Sequence, residues 1–227
     1  MRLWKRFVVR LCLCVSDFVP TILLACKKEE DETMNPKIVI RNETPDDVFA
    51  ITEVTIAAFK TLEISNHTEQ FIIEALRVAK ALTVSLVAEM DGRVIGHIAF
   101  SPVTLSDGTP NWYGLGPVSV LPEHQRKGIG KILIEEGLSR LRVLNARGCC
   151  LVGHPEYYRK FGFNNVSGLG HEGVPPEVFF ALSFDGHIPH GTVAFHEAFK
   201  ADGQQGGSTE PGDDASVACR EPAAPGR

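Results

Sequence analysis

The sequence predicts an α+β (mixed α/β) fold: a central, mostly antiparallel sheet with one parallel strand pair, flanked by helices. Three observations predict it. Two apolar segments of strand type are joined by Asp91-Gly92, a two-residue hairpin signal. Three segments, near 48–59, 68–81 and 129–146, carry apolar residues at helical spacing. A short apolar run, Cys149–Gly153, follows the third of these, which is the arrangement of a parallel crossover.

The elements follow in order. Lys37–Arg41 alternates and reads as a first strand. Thr44-Pro45-Asp46-Asp47 reads as a helix start: threonine can cap, proline suits the first helical position, and two acids favour the positive helix end. Val48, Ile51, Thr55 and Ala58–Phe59 then give an inner face. A second helix is expected from Thr68 to Ala81, with Phe71, Ile72, Ala75, Leu76 and Ala79 inward. Val84–Met90 and Val94–Phe100 are the hairpin strands, and Asp107-Gly108 marks a further turn before a third strand, Trp112–Val120. Gly116-Pro117 interrupts that strand, and proline cannot donate to a ladder, so a bulge or break in pairing is expected there. A loop, Leu121–Gly128, leads into a long helix whose apolar side is Ile129, Leu133, Leu138, Leu141 and Leu144. A short helix at Pro155–Phe161 and strands at Glu177–Phe184 and Thr192–Phe195 complete the series.

Both ends differ in composition from this body. Residues 1–33 are basic and then apolar, ending in Leu-Leu-Ala-Cys at Cys26, which suits either a leader or a stretch ahead of a true start at Met34. Asp17 interrupts the apolar run, and a charge there costs about 2.5–3.5 kcal/mol for insertion. The second reading is preferred, so the domain is expected over 34–200. Residues 201–227 are rich in Gly, Gln, Pro and Ala and are expected to be a disordered tail.

Of the 227 residues, 44% are hydrophobic and 22% charged, the balance of a globular protein. A net charge of -5 argues against a broad nucleic-acid footprint. The six cysteines show no CxxC and no Cys/His metal spacing, so no metal is expected and a reducing compartment is.

The segment Val118 to Lys131 carries the sharpest chemistry. A strand enters a glycine loop that opens a helix, whose first amides have no internal partner and, with the helix dipole, favour an anion. Gly128 and Gly130 let the backbone approach a phosphate, and Arg126, Lys127 and Lys131 add positive charge. A pyrophosphate is the natural occupant. The pattern GxxxxGK[ST] is absent, and the third glycine of a dinucleotide loop is replaced by Leu133.

Gln-x-x-Gly-x-Gly at Gln125–Gly130, after a Val-x-Val strand, resembles the coenzyme A loop of the GNAT N-acetyltransferase superfamily. Tyr158 to Phe163 resembles the Tyr-x-x-x-Gly-Phe segment of the same superfamily. The likeness spans roughly Ile38 to Phe199. Within the superfamily, Gly96–Pro102 and Phe195–Phe199 are most similar to the YhbS-like bacterial group. The resemblance implies a GNAT-like sheet splayed at the cofactor site and an acyltransferase that moves an acetyl group from acetyl-CoA to an amine in a ternary complex. It implies a cofactor-binding set of Val118, Ser119, Val120, Gln125, Arg126, Lys127, Gly128, Ile129, Gly130 and Lys131. It implies that Tyr158 donates a proton to the leaving thiolate, with Tyr157 facing elsewhere. The phenol, ordinarily near 10, is close enough to a thiol near 8.5 for that.

The implied partner is a small-molecule or peptide amine, with no nucleic acid and no membrane, and a homodimer is left open. Acetyl-CoA as donor implies a cytoplasmic location. For a general base Glu63, His67, Glu89, His97 and His154 are all open, and a non-catalytic acyl-CoA-binding module on the same fold is the alternative.

Overall fold

The computed structural model describes residues 37–203 except 61, 63 and 64; the expected leader and the tail beyond residue 203 lie outside the described residues. The first strand, β1, is Ile38–Asn42. At Thr44 both the N–H (2.7 Å) and the hydroxyl (2.8 Å) donate to the Asp47 carboxylate, which Arg41 also grips with two N–H groups. This closes the turn that starts the helix. A 3-10 turn, Pro45–Asp47, leads into α1, Val48–Phe59, whose buried side is Ile51, Val54, Thr55 and Ala58.

The second helix, α2, is Glu69–Val78, shorter than expected. Its buried residues are Ile73 and Leu76, while Phe71 and Ala79 are exposed. In a ten-residue helix the apolar residues at 71, 72, 73, 75 and 76 fit two neighbouring faces, and contact with α1 selects the second.

Strands β2, Val84–Met90, and β3, Arg93–Pro102, pair antiparallel across Asp91-Gly92, both at positive φ as a type I′ turn requires. A two-residue strand, β4, Thr104–Leu105, precedes β5, Trp112–Val120. Ile98 pairs with Val118 and Phe100 with Leu115, so one residue of β3 faces two of β5, Gly116 and Pro117. That is the bulge expected from the proline.

Helix α3, Ile129–Val143, crosses over to β6, Gly148–Val152, which pairs parallel with β5 only from Trp112↔Gly148 to Gly114↔Cys150. Beyond Gly114 the two strands part, and the far edge of β6 is taken by the later strand Phe179–Ser183. The helix α4, Pro155–Tyr158, continues as a 3-10 turn, Arg159–Phe161. It is followed by β7, Leu169–Gly170, then β8, Phe179–Ser183, then β9, Gly191–Ala194. The main sheet runs β1-β2-β3-β5-β6-β8, and a second sheet runs β4-β9-β7. The last expected strand thus joins a small separate sheet rather than the main one.

Side chains alternate across β3. Gly96 sits under Leu133 and Ile129 of α3, while His97 takes the opposite face. Leu133, Ile134, Leu138 and Leu141 of α3 pack with Ile98 and Phe100 of β3 and Leu151 of β6. Each buried leucine of this kind contributes about 1.5–3 kcal/mol. Leu144, expected on the same side, is 51% exposed, because α3 ends at Val143 before the face returns.

Candidate active site

The loop between β5 and α3 is held at its root. Leu121 N–H donates to the Ile95 carbonyl, and the Gln125 amide nitrogen donates to the Val120 carbonyl at 3.0 Å. Gln125 therefore staples the loop to the strand end. Gly128 has φ +86° at the helix N-cap, and a Cβ added there meets nothing within 4 Å. Its glycine is demanded by backbone conformation rather than by space. No side chain caps α3, and the amide of Ile132 is the first to close a helical bond, to the Gly128 carbonyl. The amides of Ile129, Gly130 and Lys131 lie ahead of it, at the positive end of a 15-residue helix.

This helix start opens into a cavity of about 650 Å³. Val118 and Val120 of β5 form one wall; Ala58, Phe59 and Leu62, at and just beyond the end of α1, form another. Gly128, Gly130 and Lys131 close the α3 end, with His124, Gln125 and Arg126 from the loop. Tyr157 and Lys160 complete the lining from the segment after β6. Lys160 Nζ stands 4.0 Å from the Tyr157 ring centroid, and Arg126 and Lys131 add two further cations. A helix start, three cations and apolar walls suit a phosphate-bearing ligand with an apolar arm.

Seven of the ten residues expected to hold the cofactor line this cavity; Ser119, Lys127 and Ile129 do not. Strand alternation turns the Ser119 side chain to the α1 face, where its hydroxyl meets Thr55 Oγ1 at 3.2 Å. Ile129 is 2% exposed and packs in the core, so only its amide faces the helix start. Lys127 is exposed on the outside of the loop.

The tyrosine pair departs from expectation. Tyr157 is on the cavity wall, with its hydroxyl 2.8 Å from where a Cβ on Gly130 would lie. Tyr158 is turned inward: its ring covers Gly153 and meets Tyr157 and Phe163 edge-on. Burial pushes its phenol up to about 12, with Tyr157 and Cys149 nearby adding to the effect. Burial also raises Tyr157. Lys160, which no motif singles out, and Tyr157, expected to face elsewhere, both line the cavity from inside the Tyr-Tyr-Arg-Lys-Phe-Gly-Phe run, where spacing from Gly162 points to Tyr158 alone.

Of the base candidates, Glu63 lies outside the described residues, and His67 and His154 are exposed. Glu89 holds Arg41 at 2.8 Å, and His97 is fully buried on the α1 face of the sheet.

The family profile described as "Acetyltransferase (GNAT) domain" matches residues 82–165, from β2 through the turn after α4. The chain is 32% identical over 127 residues to "Uncharacterized N-acetyltransferase YhbS" of Escherichia coli K12, covering 56% of this chain and 73% of that protein. It resembles the crystal structure of a GNAT family acetyltransferase from Brucella melitensis in complex with acetyl-CoA. That likeness has a TM-score of 0.65 and 51% identity, covering 72% of this chain and 98% of that one. The structure of YhbS from Escherichia coli in complex with CoA gives a TM-score of 0.65 at 28% identity, covering 74% of this chain and 94% of that one. The fold, the loop before α3 and these likenesses agree: the chain belongs to the GNAT N-acetyltransferase family.

Proposed function

We propose that residues 34–200 transfer an acetyl group from acetyl-CoA to a small-molecule or peptide amine, by direct attack within a ternary complex. The observation that carries this reading is the cavity where the uncapped start of α3 meets the split between β5 and β6. The pyrophosphate lies on the amides of Ile129, Gly130 and Lys131, with Arg126, Lys131 and Lys160 balancing its charge. The pantetheine arm runs along Val118 and Val120, where β5 has lost its β6 partner. A free N–H of that strand edge polarises the thioester carbonyl and steadies the oxyanion. Bringing amine and thioester together supplies much of the rate. With acetyl-CoA as donor, the reaction is cytoplasmic.

Tyr158 is the group we assign to the leaving thiolate, and its phenol stays protonated at neutral pH. Full transfer from a phenol near 12 to a thiolate near 8.5 is uphill by about 5 kcal/mol. Tyr158 therefore acts as a hydrogen-bond donor to the developing charge rather than as a strong acid. Tyr157 shapes the wall above Gly130.

Two measurements test the reading. Calorimetry should show acetyl-CoA binding that Gly128→Val abolishes or greatly weakens, since valine resists a φ of +86° and the helix start is displaced. A thiol-release screen with acetyl-CoA across a panel of amines should identify acceptors. Equal acetyl-CoA affinity in both proteins, or no turnover with any amine, would sink the assignment.

A further inference from the structure

Lys160 and Tyr157 reach the cavity from the bank opposite the other charges. Past Gly114, β5 parts from β6, so α3 and the loop before it belong to the β5 bank. The helix α4 and its 3-10 turn belong to the β6 bank. Arg126 and Lys131 line the cavity from the first bank and Lys160 from the second. Tyr157 spans the gap: its hydroxyl lies 2.8 Å from where a Cβ on Gly130 would stand, in the first turn of α3. Gly130 thus leaves room for a side chain of the far bank.

The Tyr157 ring is held from two sides. Tyr158 meets it with centroids 5.1 Å apart and planes 89° apart, and Phe161 at 5.7 Å and 67°. Edge-to-face packing of this kind fixes the orientation of the ring. Lys160 comes three residues after Tyr157, a spacing that sets the two side chains together on one side of a helical turn. Its Nζ stands 4.0 Å from the Tyr157 centroid and 5.1 Å from that of Phe161.

Lys160 is bound differently from the lysine across the gap. Lys131 Nζ lies 3.7 Å from Glu135 Oε1. Among the described residues Lys160 Nζ has no ion pair and no hydrogen bond, only the two rings. A ring face attracts the charge but offers no oxygen lone pair to its three N–H groups. That contact is weak at an exposed site, and a charge-assisted bond to a phosphate oxygen is stronger. Lys160 is exposed, so its long stem has room to turn from one partner to the other.

We propose that Lys160 rests on the Tyr157 ring until CoA binds and then passes from the ring to a phosphate oxygen, so that the two residues clasp the cofactor across the gap between β5 and β6. The inference rests on the acetyl-transfer reading above and gives Tyr157 a second role, separate from its hydroxyl: the ring stores and aims the cation. Lys160 touches the cofactor, whereas the Tyr157 ring acts through Lys160 and is a positioning group. The clasp must open before the product CoA leaves, so it sets how tightly CoA is held.

NMR of the full chain with labelled lysine reads the ring contact directly, because protons above an aromatic face are shifted upfield. The Lys160 side-chain resonances, assigned by their loss in Lys160→Met, should lie upfield without CoA and return toward ordinary positions as CoA is titrated in. Ordinary positions without CoA, or upfield positions that persist at saturation, overturn the proposal. Calorimetry with CoA tests the positioning. Lys160→Met should lower CoA affinity about tenfold. Tyr157→Phe keeps the ring and Tyr157→Leu removes it, so the difference between these two variants isolates the ring from the hydroxyl. That difference should be several-fold in affinity when Lys160 is present and close to nil in the Lys160→Met background. An equal difference in both backgrounds means that the ring packs on the cofactor itself, and it overturns the positioning role. A full chain that binds no CoA overturns the acetyl-transfer reading and this proposal together. One that binds CoA with Lys160 unmoved overturns this proposal alone.

Discussion

Two adjacent tyrosines point different ways at the residue scale. Tyr157 presents its hydroxyl above Gly130, at the α3 end of the cavity, and Tyr158 buries its ring against Gly153 and Phe163. On the proposed role, Tyr158→Phe removes one hydroxyl that matters only when charge develops on sulfur. Its turnover should drop about tenfold or more with acetyl-CoA affinity barely changed. Tyr157→Phe removes a group at the helix start and should instead weaken acetyl-CoA binding while kcat changes little. Steady-state kinetics beside calorimetry separates the two outcomes. Full turnover in Tyr158→Phe, where chemistry limits the rate, would remove Tyr158 from the mechanism.

At the scale of elements, α3 has two duties. Its first turn offers amides to the cavity, and the rest of its inner face carries the core. Leu133 is fully buried against Gly96, whereas Leu144 follows the helix end and is half exposed. Leu133→Ala should therefore cost about 2–5 kcal/mol, the transfer term plus a cavity. Leu144→Ala should stay within about 0.5 kcal/mol of the parent. Urea denaturation of both variants checks the contrast. Equal losses would mean that the helix end packs differently. Because the amides proposed to hold the pyrophosphate and the core leucines share one helix, loosening Leu133 should also weaken acetyl-CoA binding.

Across the whole molecule, the Glu43–Arg77–Ser85–His97 cluster ties the end of β1, α2, β2 and β3 together. Burial alone would raise Glu43, but hydrogen bonds from His97, Arg77 and Ser85 outweigh it and bring the carboxyl to about 2 from 4.5. A depressed carboxylate stabilises the fold above its unfolded value and loses that contribution as pH falls. The window here runs from about pH 4.5 down to about pH 2, and the contribution at neutral pH is on the order of 3 kcal/mol. Glu43→Gln should lower stability by about that amount at pH 7, and the gap to wild type should shrink steadily toward pH 2. His97, held below 6.5 by burial, adds a second loss that begins as pH falls past 6.5. Denaturant melts of both proteins across this range test the sign. A constant gap would mean that the cluster is not charged as described.

Much of this molecule is written locally. The hairpin at Asp91-Gly92, the bulge at Gly116-Pro117 and the glycine loop before α3 each depend on conformational limits of a few adjacent residues. Alternation and helical spacing likewise report which face each element buries. Two-residue strands such as β4 and β7 carry no readable period, so the small second sheet stays invisible until distant segments meet. Which of two neighbouring tyrosines faces the cavity is set by how a four-residue helix seats on Gly153 and Gly130, residues 23 apart in the chain. The setting of the buried His97 ring is further still from local legibility. It follows from Glu43, Ser85 and Arg77, three residues from three separate segments, brought within hydrogen-bond reach only by the packed sheet and helices. Local conformational rules act over a few residues and can be read in order, whereas contacts between segments distant in the chain exist only once the chain has closed.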